Sequence, residues 1–190
     1  MPLGSARFGL LGGAGASGKL ELIETKTGSG VSSIDFTTLD ESTYNVHLLT
    51  VNDYQVATDG QDMVIRLSDD SGSTYESSNY DWANQIGQSN GTFNEYKSTS
   101  GAGLEINRFN GSASNEKANA YVYLYNLGDS SKYSFSTSHA TATLEYSLRY
   151  GFQFGSGVYH IESTINALRL QPSVGNMSVT STSLYGIAES

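Results

Sequence analysis

Gly13-Ala14-Gly15-Ala16-Ser17-Gly18 has the spacing G-x-G-x-x-G, and Gly13 to Lys19 carries most of a phosphate-cradling G-x-x-x-x-G-K loop. Such loops bind phosphate because they follow a strand and open a helix, whose free N–H groups point at the anion. Here a glycine-rich arm precedes the motif and strand-like residues follow it. The residue after Lys19 is Leu20 rather than Ser or Thr, so no hydroxyl would reach a magnesium ion. The expectation is no nucleotide site and no cofactor.

Asp69-Asp70-Ser71-Gly72-Ser73 offers hard oxygen ligands around a sharp glycine turn, as a calcium loop does. It lacks the rest of the twelve-residue pattern and the closing Glu, so it reads as a solvated hairpin turn. His47, His139 and His160 are scattered and never spaced as H-x-x-x-H, whereas zinc needs three or four convergent ligands. No metal site is expected. No serine lies in a G-x-S-x-G elbow. Glycoside cleavage would need two carboxylates at a set separation. Glu105, Glu145, Asp81 and Asp62 are available, but nothing marks two of them as partners. No catalytic residue is nominated, and the chain is expected not to be an enzyme.

Tyr75, Tyr80 and Trp82 cluster in sequence and are the candidate glycan-stacking rings, since aromatic faces at a sheet edge can hold sugars. Asn90-Gly91-Thr92, Asn110-Gly111-Ser112 and Asn176-Met177-Ser178 match glycosylation sequons. They read as chance matches in a chain rich in Asn, Ser and Thr, because the N-terminus has no basic region followed by a long apolar one.

The elements that would position these residues are strands. Period-two alternation runs through Lys19 to Thr25, Val31 to Phe36, Thr43 to Val51, Met63 to Leu67, Ala120 to Tyr125, Leu144 to Phe154, Asn166 to Leu170 and Ser178 to Ile187. In the fifth of these, Tyr121, Tyr123 and Tyr125 share one face, and Val122 and Leu124 the other. Loops are expected at Asp69–Gly72, Asn110–Ser112, Leu127–Asp129 and Gly155–Gly157, and one short helical turn within Asp81 to Gln88. About nine to eleven short strands separated by turns point to an all-β, antiparallel β-sandwich of the jelly-roll kind over residues 19–190. Residues 1–18 read as a flexible N-terminal arm and linker. Within it, Arg7, Phe8, Leu10 and Leu11 are the candidate partner anchors. Phe8 would fill a pocket, and Arg7 would meet an acid or backbone carbonyls.

Composition narrows the function classes. The 190 residues carry a net charge of −9, which repels phosphate backbones and argues against nucleic-acid binding. No run of about 18 apolar residues exists, so no membrane insertion is expected. With no cysteine, disulfides and thiolate metal sites are excluded. The 13 Tyr and 7 Phe supply bulky residues suited to sheets, and only 2 Pro interrupt them.

Three stretches taken together carry a family resemblance. They are Val31-Ser32-Ser33-Ile34-Asp35-Phe36-Thr37 with the Tyr44 to Val51 strand, then Ile65-Arg66-Leu67-Ser68-Asp69-Asp70-Ser71-Gly72-Ser73-Thr74-Tyr75, and Ile165-Asn166-Ala167-Leu168-Arg169-Leu170 followed by Leu184-Tyr185-Gly186-Ile187. Their order and spacing resemble jelly-roll structural proteins of tailed bacteriophages, particularly those of cyanobacteria and other aquatic hosts. Ser5-Ala6-Arg7-Phe8-Gly9 is similar to the short N-terminal anchors of that group. The lack of a signal-peptide pattern leads to the expectation that the chain is made in the host cytoplasm. The resemblance implies a virion component on the tail, a fibre or the head surface, with tail or fibre favoured over head decoration. It implies other virion proteins and copies of itself as partners, and supplies no catalytic residues. The alternative expectation is a carbohydrate-binding module that recognises a host surface glycan.

Overall fold

The computed structural model describes residues 19–144 and 149–188. The arm at 1–18, with its anchors Arg7, Phe8, Leu10 and Leu11, lies outside the described residues, as does Glu145. The described chain is all-β and every strand pair is antiparallel. Twelve strands follow in order: β1 (Leu20–Val31), β2 (Ile34–Phe36), β3 (Val46–Val56), β4 (Gln61–Ser68), β5 (Tyr80–Gln88), β6 (Phe93–Gly101), β7 (Leu104–Asn110), β8 (Ala118–Tyr125), β9 (Ser134–Leu144), β10 (Arg149–Tyr159), β11 (Ala167–Pro172) and β12 (Met177–Ile187).

They form one sheet in the order β1-β12-β3-β8-β9-β7-β4-β11-β2. Its two ends return to each other, where Lys26 Nζ on β1 donates to the Asp35 carbonyl on β2 at 2.6 Å, so the sheet nearly closes on itself. The core fills the interior of this near-closure. Leu67 and Ile65 of β4 line up with Leu168 and Leu170 of β11, and these with Phe36 and Ile34 of β2, while Met63 stands opposite Pro172. They meet Leu49 and Val51 of β3, Val122 and Leu124 of β8, and Leu184 of β12. Each is one face of a period-two segment, and burying it removes apolar surface from water.

Strand β9 is the branch point. One edge pairs with β10 along its length, and the other pairs with β8 and then, at its end, with β7 at Leu144↔Asn110. From β10 the sheet continues as a wing, β10-β5-β6. The wing lies against β7, and the inner face of β10 is rich in glycine. Gly151, Gly155 and Gly157 of β10 point inward. A Cβ on Gly157 would stand 2.7 Å from Leu104 of β7.

The wing corrects two expectations. Asp81 to Gln88 forms no helical turn. It lies in β5, which is hydrogen-bonded on both sides, to β10 and to β6. Gly155-Ser156-Gly157 is no loop. It continues β10, because glycine there serves close packing rather than a turn. Leu127–Asp129 and Asp69–Gly72 are connections, as expected. Strands β6, β7 and β9 were absent from the expected set.

Candidate functional site

Residues that alternate with the buried ones in β8, β9 and β10 are unusually large. Cross-strand register arranges them in rows on the outer face. One row runs Asn119–Thr141–Phe152–Gly87–Phe93, the next Tyr121–His139–Phe154–Gln85–Glu95, and the third Tyr123–Thr137–Ser156–Ala83–Lys97. The rings form a continuous chain. Phe93 meets Phe152 edge-on at 6.3 Å, Phe152 stacks on Phe154 at 6.2 Å, and Phe152 reaches His139 at 6.4 Å. His139 contacts Tyr121 at 5.5 Å, which leads to Tyr123 and Tyr125.

These rings are not core. Tyr150 is 67% exposed, Phe93 63%, Phe154 46% and Tyr121 46%. Isolated exposed apolar residues are ordinary, but a connected aromatic field on rigid strands marks an interaction surface. Glycine shapes it locally. A Cβ on Gly87 would stand 2.5 Å from the Phe152 ring, so that ring lies flat across the bare backbone of β5. Beside it runs an open groove of about 530 Å³, lined in part by Lys117, Asn119, Thr141, Tyr150 and Phe152.

The candidate glycan-stacking trio does not form a platform. Tyr80 is fully buried, and its hydroxyl accepts from the Leu67 N–H at 2.8 Å, so neither ring face can meet a sugar. One face of Tyr75 is covered by the Arg169 guanidinium at 4.0 Å, itself held in a two-point pair with Asp35 at 2.7 Å. Trp82 is half-buried beside Arg108, 6.0 Å from its ring. The outward aromatics that replace this trio lie on β8, β10 and β6. Period-two alternation over Ala120 to Tyr125 and Leu144 to Phe154 signalled the first two strands, and nothing signalled β6.

Several titratable side chains have local partners. Asp70 closes its own loop, accepting from Ser68 Oγ at 2.8 Å, from the Thr74 N–H at 2.9 Å and from Thr74 Oγ1 at 2.7 Å, which holds its pKa down at about 2. Among the described residues no three acidic, His or Cys side chains converge as a metal site would require. His47 is buried with Nε2 2.7 Å from the Leu39 carbonyl, and burial pushes its pKa down. His160 stands 3.4 Å from Asp81, and His139 belongs to the aromatic face. The sequon residue Asn110 is buried and donates to the Gln61 carbonyl.

Two of the four carboxylates do meet, behind the wing. Arg108 on β7 donates to Glu105 at 2.8 Å and stands 3.9 Å from Asp62. Its guanidinium also lies over the rings of Tyr96 at 4.5 Å and Phe109 at 5.0 Å. Asn84 donates to the Glu105 carbonyl oxygen at 3.1 Å, tying β5 to β7. Glu105 is buried, and burial lifts its pKa to about 7. Arg108 pulls the other way, and the charge on Asp62 adds to the rise.

A carboxyl with a folded pKa above its unfolded one holds its proton longer in the folded state, so stability falls as pH rises through that window. Between about pH 5 and pH 8 the wild type should therefore lose on the order of 3 kcal/mol from this group. Glu105→Gln, which keeps an acceptor for Arg108, should remove most of that loss in urea melts at the two pH values. Equal losses in the two proteins would show that Glu105 ionises freely in the fold. No family model matches this chain, and no curated protein matches it, so its function is argued from this geometry.

Proposed function

We propose that this chain is a non-enzymatic structural protein of a bacteriophage particle, a β-sandwich of the jelly-roll kind that works by holding other protein surfaces. The observation that carries the reading is the outward aromatic field on β8, β9, β10 and β6. A face that leaves rings in water is costly for an isolated domain and favourable once a partner covers it. The antiparallel all-β sheet supports the all-β part of this reading, and the resemblance in the β2–β3, β4 and β11–β12 regions supplies the jelly-roll and phage context, with tail or fibre favoured over head decoration. In this reading residues 1–18 dock on a neighbouring virion protein through Arg7, Phe8, Leu10 and Leu11, and the sheet face provides a second contact.

Antibodies raised against the purified protein should label intact phage particles. Protein lacking residues 1–18 should stay folded yet fail to join them. Label confined to the soluble fraction of infected cells would overturn the particle reading, and normal incorporation of the truncated protein would overturn the anchor.

A second reading is recognition of a host surface glycan by the same face. It is favoured by the flat Phe152 and Phe154 rings, which stand beside the amide and hydroxyl groups of Gln85, Asn119 and Thr141. Binding on a glycan array that is lost in Phe154→Ser would support it, and no binding across host polysaccharides would remove it.

A further inference from the structure

We propose that β6 is the edge through which two copies of this chain join, antiparallel, about a two-fold axis at Tyr96. The inference rests on the reading of the chain as an assembling structural protein and names its self-contact. Among the described residues, β6 hydrogen-bonds to β5 on one side and to no strand on the other. The other outer strands, β1 and β2, face each other across the Lys26–Asp35 bond. An unpaired strand edge is a template for another chain, and proteins that must stay single blunt it with proline, bulges, charges (lysine above all) or a very short strand. In β6 the bulge lies beyond Ser98, outside most of the paired register, and the charges are one of each sign. β6 runs from Phe93 to Gly101, has no proline, and turns Asn94, Tyr96 and Ser98 inward.

Its charges instead specify a register. Glu95 and Lys97 both sit exposed on the outer face, one of each sign, and neither forms an ion pair among the described residues. A two-fold axis at Tyr96 places Glu95 opposite Lys97 of the second copy, and Lys97 opposite its Glu95. It also sets Phe93 against Thr99 and Asn94 against Ser98. An axis at Glu95 would face Glu95 with itself, and one at Lys97 would face Lys97 with itself, which is unfavourable in directly facing pairs. The axis stands perpendicular to the sheet, so both aromatic faces end on the same side. The pair presents one wide field where each copy had half.

The test uses the full chain and its oligomeric state by sedimentation velocity at concentrations up to about 100 μM. The wild type should dimerise. Glu95→Lys and Lys97→Glu should each weaken the dimer by about tenfold or more, since each variant replaces two attractive cross-strand pairs by two repulsive ones. An equimolar mixture of the two variants should recover the wild-type affinity as a heterodimer, because every facing pair is then opposite in sign. Both substitutions are exposed, and unchanged thermal melts confirm folding. A monomeric wild type, a dimer insensitive to the single variants, or a mixture that stays monomeric would overturn the proposal. If β6 pairing fails while antibodies still label phage particles, only the pairing is lost and the particle reading stands.

Discussion

Protein carrying Gly155→Val should fail to close its wing and should lose about 4 kcal/mol or more of stability, whereas Ser156→Val one residue along should change stability by less than about 0.5 kcal/mol. Both residues lie in β10, and both substitutions favour extended backbone by propensity. They differ only in the face they load. A Cβ on Gly155 would fall on the Asn84 side-chain oxygen and come within 2.5 Å of the Ala83 carbonyl. Asn84 cannot withdraw cheaply, because it reaches across to the Glu105 carbonyl and so ties β5 to β7. Ser156 points to the solvated outer face. For a chain of this length a loss of 4 kcal/mol lowers the melting temperature by about 10 °C or more, well within the resolution of calorimetry. If both variants melted alike, the inner face of β10 would have room, and the glycines would have to be explained by something other than packing.

The same strand shows why the sequence was legible in some places and opaque in others. In β4, β8 and β12 large apolar residues alternate with polar ones against a deep core. Met63, Ile65 and Leu67, or Val122 and Leu124, therefore announce both strand and buried face. β10 inverts that pattern. Its inward positions include Gly151, Gln153, Gly155 and Gly157, and its outward ones are Tyr150, Phe152 and Phe154. Gly155-Ser156-Gly157 then looks like a turn, because glycine is read as conformational freedom when its use here is thinness. β9 hides for a related reason. Ser134, Ser136, Ser138 and Ala140 face inward, too small and polar to register as a hydrophobic face. The candidate site suffered most. Tyr80 and Trp82 were adjacent to a plausible platform in sequence, but β5 sends Tyr80 into the core, where it meets Tyr159 at 5.0 Å. For β8 the alternation separated the tyrosines from Val122 and Leu124 without saying which set faced water. That choice depends on what lies across the interior, and a single strand does not encode it.

The aromatic face yields the other large effect, on association rather than folding. The triple variant Tyr121→Ser, Tyr150→Ser, Phe154→Ser should fold with a melting temperature within a few degrees of wild type and should no longer join phage particles. The three rings come from two strands, β8 and β10, and all are well exposed, so each contributes little to the core. Phe152 is left in place because it covers Gly87, and removing it would confuse a contact with a packing defect. At a partner interface, aromatic anchors of this kind are each worth about 2 kcal/mol when truncated, so removing three should weaken binding by at least about a thousandfold. A merely structural field would behave in the opposite way, with stability dropping and association unchanged. Retained particle binding in a well-folded triple variant would mean that the rings face water for no functional reason, and the role assigned to this face would be wrong. Loss of glycan binding with intact particle binding would instead move the face from assembly to host recognition.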